Sequence, residues 1–187
     1  MPFSDLKENI SQLLLAVHRD LVSEQDKESA AYFFSGLVTK VTHIESATHL
    51  LLFLKQLINH ESLDKNLPTS RYMSFYLRLE CYLSECELIV LDNIAADIFK
   101  QVKGPGFNLG CLGSSYSIND SKGNIYPVPQ RVSRIMNIIR NENMSSNQRL
   151  KEVKEIQIAV PAHQSSYLFW NTTDKSTNEF ISNLQCG

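Results

Sequence analysis

The chain has 187 residues, 43% of them hydrophobic and 20% charged, which supports a packed core and argues against a disordered chain. The formal net charge is −2 and the basic residues are scattered, so we expect neither nucleic acid nor an anionic lipid surface as a partner. The longest apolar run, residues 50–54, is too short to span a bilayer. The N-terminal residues also lack the layout of a signal peptide. These features predict a cytoplasmic protein with no membrane span.

The cysteines match no zinc-binding spacing. There are four of them: Cys81, Cys86, Cys111 and Cys186. We therefore expect reduced thiols, as in a cytosolic protein, with no metal and no cofactor.

Two amphipathic helices are predicted in the first 60 residues. The first spans about residues 5–22, and its apolar positions step at three and four residues, which is the α-helical period. They are Leu6, Ile10, Leu13, Val17 and Leu21. The second spans about residues 27–59. Threonines and β-branched residues at positions 38–44 lower its local helix propensity, so the pattern also allows a break there.

The stretch from Tyr72 to Phe99 predicts a third, central helix that ends near Val102. It carries two apolar stripes at helical spacing, which together make an arc wider than a surface helix needs. The first stripe is Tyr72, Tyr76, Leu79, Leu83, Cys86 and Val90; the second is Met73, Leu77, Cys81, Leu88, Leu91, Ala95 and Ile98. We expect this helix to be covered on most sides, with Leu79, Leu83 and Val90 fully buried.

The helical pattern of apolar residues ends at about residue 103, and a segment rich in glycine follows. Gly104, Pro105 and Gly106 end the central helix, and a glycine-rich loop follows over residues 104–128. A hairpin within it is indicated by residues 115–118 and 124–128, which flank a turn at 119–123. Three short helices are then predicted. They begin near Pro129, at a capping-box pattern in residues 145–148 and at another in residues 176–179.

These elements predict an all-α protein, a single helical bundle of about six helices, three long and three short. Residues 1–103 form the core of three long helices, residues 104–128 the glycine-rich loop between helices three and four, and residues 129–187 a tail of short helices. Short isolated helices are marginal in water, so we expect the tail to pack on the core, which gives one domain overall. The last helix is expected to dock through Trp170, Phe180, Ile181 and Leu184.

One catalytic arrangement is compatible with the chain order. Cys111 lies between glycines, and His163 and then Asp174 or Asn171 follow it, in the order that some cysteine hydrolases use. No family signature surrounds Cys111, and it is not predicted at a helix N-terminus, where cysteine nucleophiles usually lie.

Two groups of residues are candidates for binding. The aromatic side chains of Tyr167, Phe169 and Trp170 would form an anchor for a partner if they are exposed, or would hold the last helix in place if they are buried. Arg131 and Arg134 are spaced to bind a phosphate or a carboxylate, although a solvated helix face is the usual role of such residues.

The C-terminal third resembles the helical segment found near the C-termini of Legionella-type effector proteins, which a type IV secretion system injects into host cells. The similarity lies in YPVPQRVSRIMNII at 126–139, RLKEVKEI at 149–156, Phe169–Trp170 and TNEF at 177–180. It implies delivery to the host cytosol without a cleaved signal peptide and transfers no catalytic residue. The final residues, ISNLQCG, depart from the family because they lack the glutamates common in such secretion signals.

The sequence therefore predicts a non-enzymatic helical protein–protein interaction module, and the resemblance gives it the setting of a bacterial effector that acts on a host protein. The alternative is a small cysteine-dependent hydrolase that uses Cys111 and His163. The oligomeric state is left open by both interpretations.

Overall fold

A computed structural model gives the fold of most of the chain. It describes residues 1–23, 28–60, 63, 67, 69–107, 109, 116–159, 171–184 and 186. Within these residues the protein contains seven helices and one small two-stranded sheet, so the predicted all-α class is confirmed. The residues form two compact units, Met1–Val90 and Leu91–Cys186, which we call unit 1 and unit 2. The predicted division into a core of residues 1–103, a loop of residues 104–128 and a tail of residues 129–187 stays a prediction. That the tail packs on the core as one domain stays a prediction.

Unit 1 begins with α1, Phe3–Val22, where the sequence predicted a helix. All five residues of the predicted apolar face are buried: Leu6, Ile10, Leu13, Val17 and Leu21.

The single helix predicted over residues 27–59 is wrong, and the break that the sequence allowed is present. The chain forms α2, Glu28–Thr42, and α3, Ala47–Ile58. Ser46 is extended, and its side chain accepts a hydrogen bond from the His49 amide at 3.2 Å, which caps the start of α3. The Lys7 amine donates to the carbonyl groups of Thr42 and Ile44, both at 2.8 Å, which satisfies backbone acceptors at the end of α2.

The predicted central helix is α4, Thr69–Lys103, with one non-helical residue near its start, Tyr72. Leu79 and Val90 are fully buried, as expected. The expectation for Leu83 is wrong, because this side chain is only half-buried. In the same part of α4 the buried face also contains Phe75 and Cys86.

The second apolar stripe of α4 is buried only in part. Leu91 and Ile98 are buried, but Met73, Leu77 and Cys81 are exposed. The expectation that most sides of this helix are covered is therefore wrong for its first half.

In unit 2 the end of α4 is held by residues just after it. The Gly106 amide donates to the Gln101 carbonyl at 2.8 Å, and the Gln101 side chain donates back to the Gly106 carbonyl at 2.7 Å. Gly106 has a φ of 72°, a conformation that glycine adopts without strain. The predicted helix stop is confirmed.

The predicted hairpin is also present. β1, Ser117–Asn119, pairs antiparallel with β2, Ile125–Pro127, and Ile118 lies opposite Tyr126. The turn contains Gly123 with a φ of 82°. The rest of the predicted glycine-rich loop includes residues 110–115, which lie outside the described part of the chain.

Three short helices follow, as predicted: α5, Gln130–Ile139; α6, Ser146–Ile158; and α7, Asn171–Ser182. The capping box of Ser145 and Gln148 is formed. The second predicted capping box is wrong, because α7 begins five residues before Ser176 and Thr177 is buried within it. Ile181 and Leu184 are buried as expected, and the Phe180 ring packs edge-on against Phe107 at 5.2 Å.

Candidate interaction surface

Most of the catalytic and binding residues predicted from the sequence have side chains that lie outside the described part of the structure. Cys111 and His163 of the predicted hydrolase, and Tyr167, Phe169 and Trp170 of the predicted aromatic anchor, lie outside the described residues. Asp174 and Asn171 lie within α7, but their side chains are not described. Their catalytic and binding roles stay predictions.

Arg131 holds two helices of unit 2 together. Its guanidinium donates to the carbonyl groups of Ile156 at 2.5 Å and Ala159 at 3.1 Å, and to the Asn178 side-chain oxygen. The two carbonyl groups lie at the C-terminal end of α6, where a cation is favourable. Because several donors of Arg131 are already used, this arginine is better suited to fixing α6 and α7 than to binding a ligand.

Arg134 lies one turn further along α5 and is exposed. With Arg131, Glu155, Ile156 and Ala159 it lines an open depression of about 390 Å³. A carboxylate beside the arginines already offsets their positive charge. The predicted binding role of Arg134 stays a prediction.

The buried thiols are poor nucleophiles. Burial raises the pKa of Cys86 to about 12, the neighbouring carboxylate of Glu87 adds to this effect, and Lys55 opposes it. The Cys86 thiol donates to the Ala47 carbonyl at 3.2 Å. Burial also raises the pKa of Cys186. A thiol that stays protonated at neutral pH is not reactive, so both cysteines have structural roles.

Across the described residues, His, Cys, Asp and Glu side chains nowhere gather in a group of three suited to a metal ion. In the same part of the chain no helix combines the length and apolar character that crossing a bilayer would require.

The clearest surface feature of unit 1 is a strip of apolar side chains on α4, made of Met73, Leu77 and Cys81, which we call the α4 strip. Met73 is 50% exposed and Leu77 54% exposed, and Cys81 is exposed as well. A spacing of four residues places them one above the other along one face of the helix. Large apolar side chains grouped in this way are typical of surfaces that bind other proteins.

Charged residues border the α4 strip. Arg78 and Glu80 are exposed and follow Leu77 by one and three residues, which places them on opposite sides of it around the helix axis. Glu85 lies one turn beyond Cys81 and pairs with the amino group of Met1 at 3.9 Å. An apolar centre with a charged rim is the usual composition of a protein-binding surface.

The sequence placed these three residues in the second stripe of α4, on a helix that was expected to be covered on most sides. Helical periodicity identifies a face but not the neighbour that covers it. The sequence pattern therefore could not indicate that the first half of the stripe is exposed.

Comparison with known proteins adds no assignment, because no protein-family model, no curated protein and no solved structure matches this chain.

Proposed function

We propose that this protein is a non-enzymatic helical interaction module that binds a partner protein through the α4 strip. The observation that carries the proposal is the exposure of Met73 and Leu77, four residues apart on one helix face, with Cys81 one turn further on. Burying two half-exposed side chains of this size gives a favourable free energy on binding. The Met73 side chain is unbranched and flexible, which suits an adaptable contact.

The partner that fits this surface is an amphipathic helix. Side chains at intervals of four residues form a ridge, and such a ridge packs into the groove between the corresponding rows of another helix. The charged rim at Arg78 and Glu80 would pair with opposite charges beside the apolar face of the partner, which favours one orientation.

Leu77→Glu tests this surface, with Leu52→Glu as its matched control. Leu52 is also a large exposed apolar residue of unit 1, but it lies on α3. Both variants should keep their free energy of unfolding within about 0.5 kcal/mol of the wild type, because surface substitutions rarely change it more.

Proteins captured from a eukaryotic lysate by the full-length wild type and by each variant would be compared by quantitative mass spectrometry. A partner lost with Leu77→Glu and kept with Leu52→Glu supports the α4 strip. Equal capture by all three proteins contradicts it.

The setting that we propose is a host cell, reached through type IV secretion. Its support is the sequence resemblance of residues 126–139, 149–156, 169–170 and 177–180 to the tails of such effectors. Removing the last twenty residues should abolish translocation in a reporter assay, whereas Leu77→Glu should leave it unchanged. If the truncated chain is translocated normally, the protein does not belong in that setting.

The hydrolase alternative is separated from the interaction module by alkylation of the folded protein at neutral pH. Cys81 should react at the rate of an ordinary exposed thiol and Cys86 far more slowly, as its raised pKa requires. Peptide mapping would report each cysteine separately. A Cys111 that reacts far faster than a free thiol would favour the hydrolase.

A further inference from the structure

The exposed face of α2 carries a groove centred on a glycine. It has a volume of about 280 Å³ and is lined by Ser29, Tyr32, Phe33, Gly36, Leu37 and Lys40. Glycine lowers the stability of a helix interior relative to alanine. Within the described part of the chain nothing approaches Gly36 closely, and a Cβ added there would meet no atom within 4 Å. Packing among the described residues therefore does not account for this glycine.

The residues on either side of Gly36 are complementary to each other. Tyr32 lies four residues before it and is 83% exposed, and Lys40 lies four residues after it and is exposed. All three share one face of α2. Among the described residues Lys40 makes no ion pair, so its ammonium group is available. Lysine ammonium groups bind over the face of a tyrosine ring.

We infer that this face of α2 binds a second copy of the same chain. Two copies of α2 would cross antiparallel at Gly36, where the missing side chain lets the helix axes approach closely. Tyr32 of each copy then lies opposite Lys40 of the other, because both are four residues from the crossing point. A two-fold interface of this kind repeats every contact twice, so it contains two pairs of ring and ammonium group.

Tyr32 and Lys40 are each four residues from Gly36, and this symmetric spacing favours a second copy of the chain over an unrelated partner. The exposed ring and the exposed cation are equidistant from the glycine, so the surface complements itself. One helix pair buries less than a stable interface requires, and the dimer is weak and dependent on concentration. The inference is independent of the proposed function, which uses the α4 strip.

Sedimentation velocity tests the inference on the full-length chain between about 1 μM and about 1 mM. The weight-average mass should rise from that of a monomer toward that of a dimer. Tyr32→Ala and Lys40→Glu should each raise the dissociation constant about 5- to 30-fold, since each removes both ring–ammonium contacts. Tyr32→Phe keeps the ring face and should leave self-association unchanged.

Gly36→Ala separates a docking role from a structural one, because its two effects have opposite signs. The melting temperature of the monomer should rise by about 2–4 °C, as alanine favours the helix and has space in this position. Self-association should weaken, because the added methyl groups meet at the crossing. Ser35→Ala is the matched control, since Ser35 is the adjacent residue of α2 and does not line the groove; it should leave self-association unchanged.

A protein that stays monomeric up to about 1 mM overturns the inference. So does a dimer that Lys40→Glu and Gly36→Ala leave intact. A dimer lost with Leu77→Glu and kept with these variants would assign self-association to the α4 strip and overturn the role of α2.

Discussion

The two compact units place one apolar stripe of α4 in different surroundings. In unit 1 the stripe begins with Met73 and Leu77, which are about half exposed, and in unit 2 it continues through Leu91 and Ile98, which are buried. The side chains are equally apolar, and the helical spacing is the same. The comparison shows that a helix face is fixed by its own sequence, whereas its burial depends on what packs against it.

The units also differ in how their elements are tied together. The buried side chains of α1, α2 and α3 in unit 1 are mostly leucines, with fewer alanines and valines. In unit 2 arginine and glutamine side chains bind backbone carbonyl groups of other elements, as the Lys7 side chain does in unit 1. Arg131 binds Ile156 and Ala159, Arg140 binds Asn119, Arg149 binds Ile139, and Gln157 binds Ser182 and Leu184. These hydrogen bonds supply part of the stability of unit 2, in addition to the buried apolar faces of its helices.

The sharpest test of this contrast within unit 1 compares two leucines that are two residues apart on α4. Leu79 is fully buried and Leu77 is 54% exposed. Leu79→Ala should lower the free energy of unfolding by about 2–5 kcal/mol, and Leu77→Ala by less than about 0.5 kcal/mol. Urea unfolding followed by circular dichroism would measure both. A comparable loss for Leu77→Ala would mean that the α4 strip is not a free surface.

In unit 2 the matched pair is Arg131 and Arg134, three residues apart on α5. Arg131→Ala removes hydrogen bonds to the end of α6 and to Asn178, which should cost about 1–3 kcal/mol of unfolding free energy. Arg134→Ala should cost less than about 0.5 kcal/mol, because Arg134 is exposed. The same urea titration applies. If both variants have the unfolding free energy of the wild type, the hydrogen bonds of Arg131 do not contribute to the stability of unit 2.

A smaller effect should appear at low pH, through the hairpin. The carboxylate of Asp120 accepts hydrogen bonds from the Asn124 side chain at 3.1 Å and the Asn124 amide at 3.0 Å, and it pairs with Lys103 at 3.2 Å. These contacts, led by the Asn124 side chain, hold the pKa of Asp120 well below its usual range. A carboxyl group of this kind stabilises the fold above its unfolded pKa of about 3.9, and this contribution is lost as the pH falls toward the lowered value.

Asp120→Asn should therefore be less stable than the wild type at neutral pH, and the difference should shrink below about pH 4. Thermal melts at several pH values would show it. Asp92→Asn is the control, because Asp92 is exposed on α4. A difference that stays constant with pH would exclude Asp120 as the titrating group.

The parts that the sequence predicted are those with local causes. The face of α1, the Ser145 capping box, the stop at Gly106 and the hairpin each depend on neighbours within a few residues. The parts that it missed depend on distant partners. The acceptors of Arg131 lie 25 and 28 residues further on, so its local pattern does not indicate them; its binding role stays a prediction. The exposure of Met73 and Leu77 likewise depends on the absence of a neighbour, and no local pattern encodes that.

The connection between α2 and α3, residues 43–46, has a consequence for the order in which unit 1 folds. The amine that satisfies the carbonyl groups of Thr42 and Ile44 belongs to Lys7, 35 and 37 residues earlier in the chain. Closing so long a loop is entropically costly, so the two bonds form only after α1 has docked beside this connection. Because interactions made late in folding affect mainly the unfolding rate, Lys7→Met should speed unfolding in stopped-flow measurements and leave refolding unchanged. The two hydrogen bonds of Lys7 would then form last in folding and break first in unfolding.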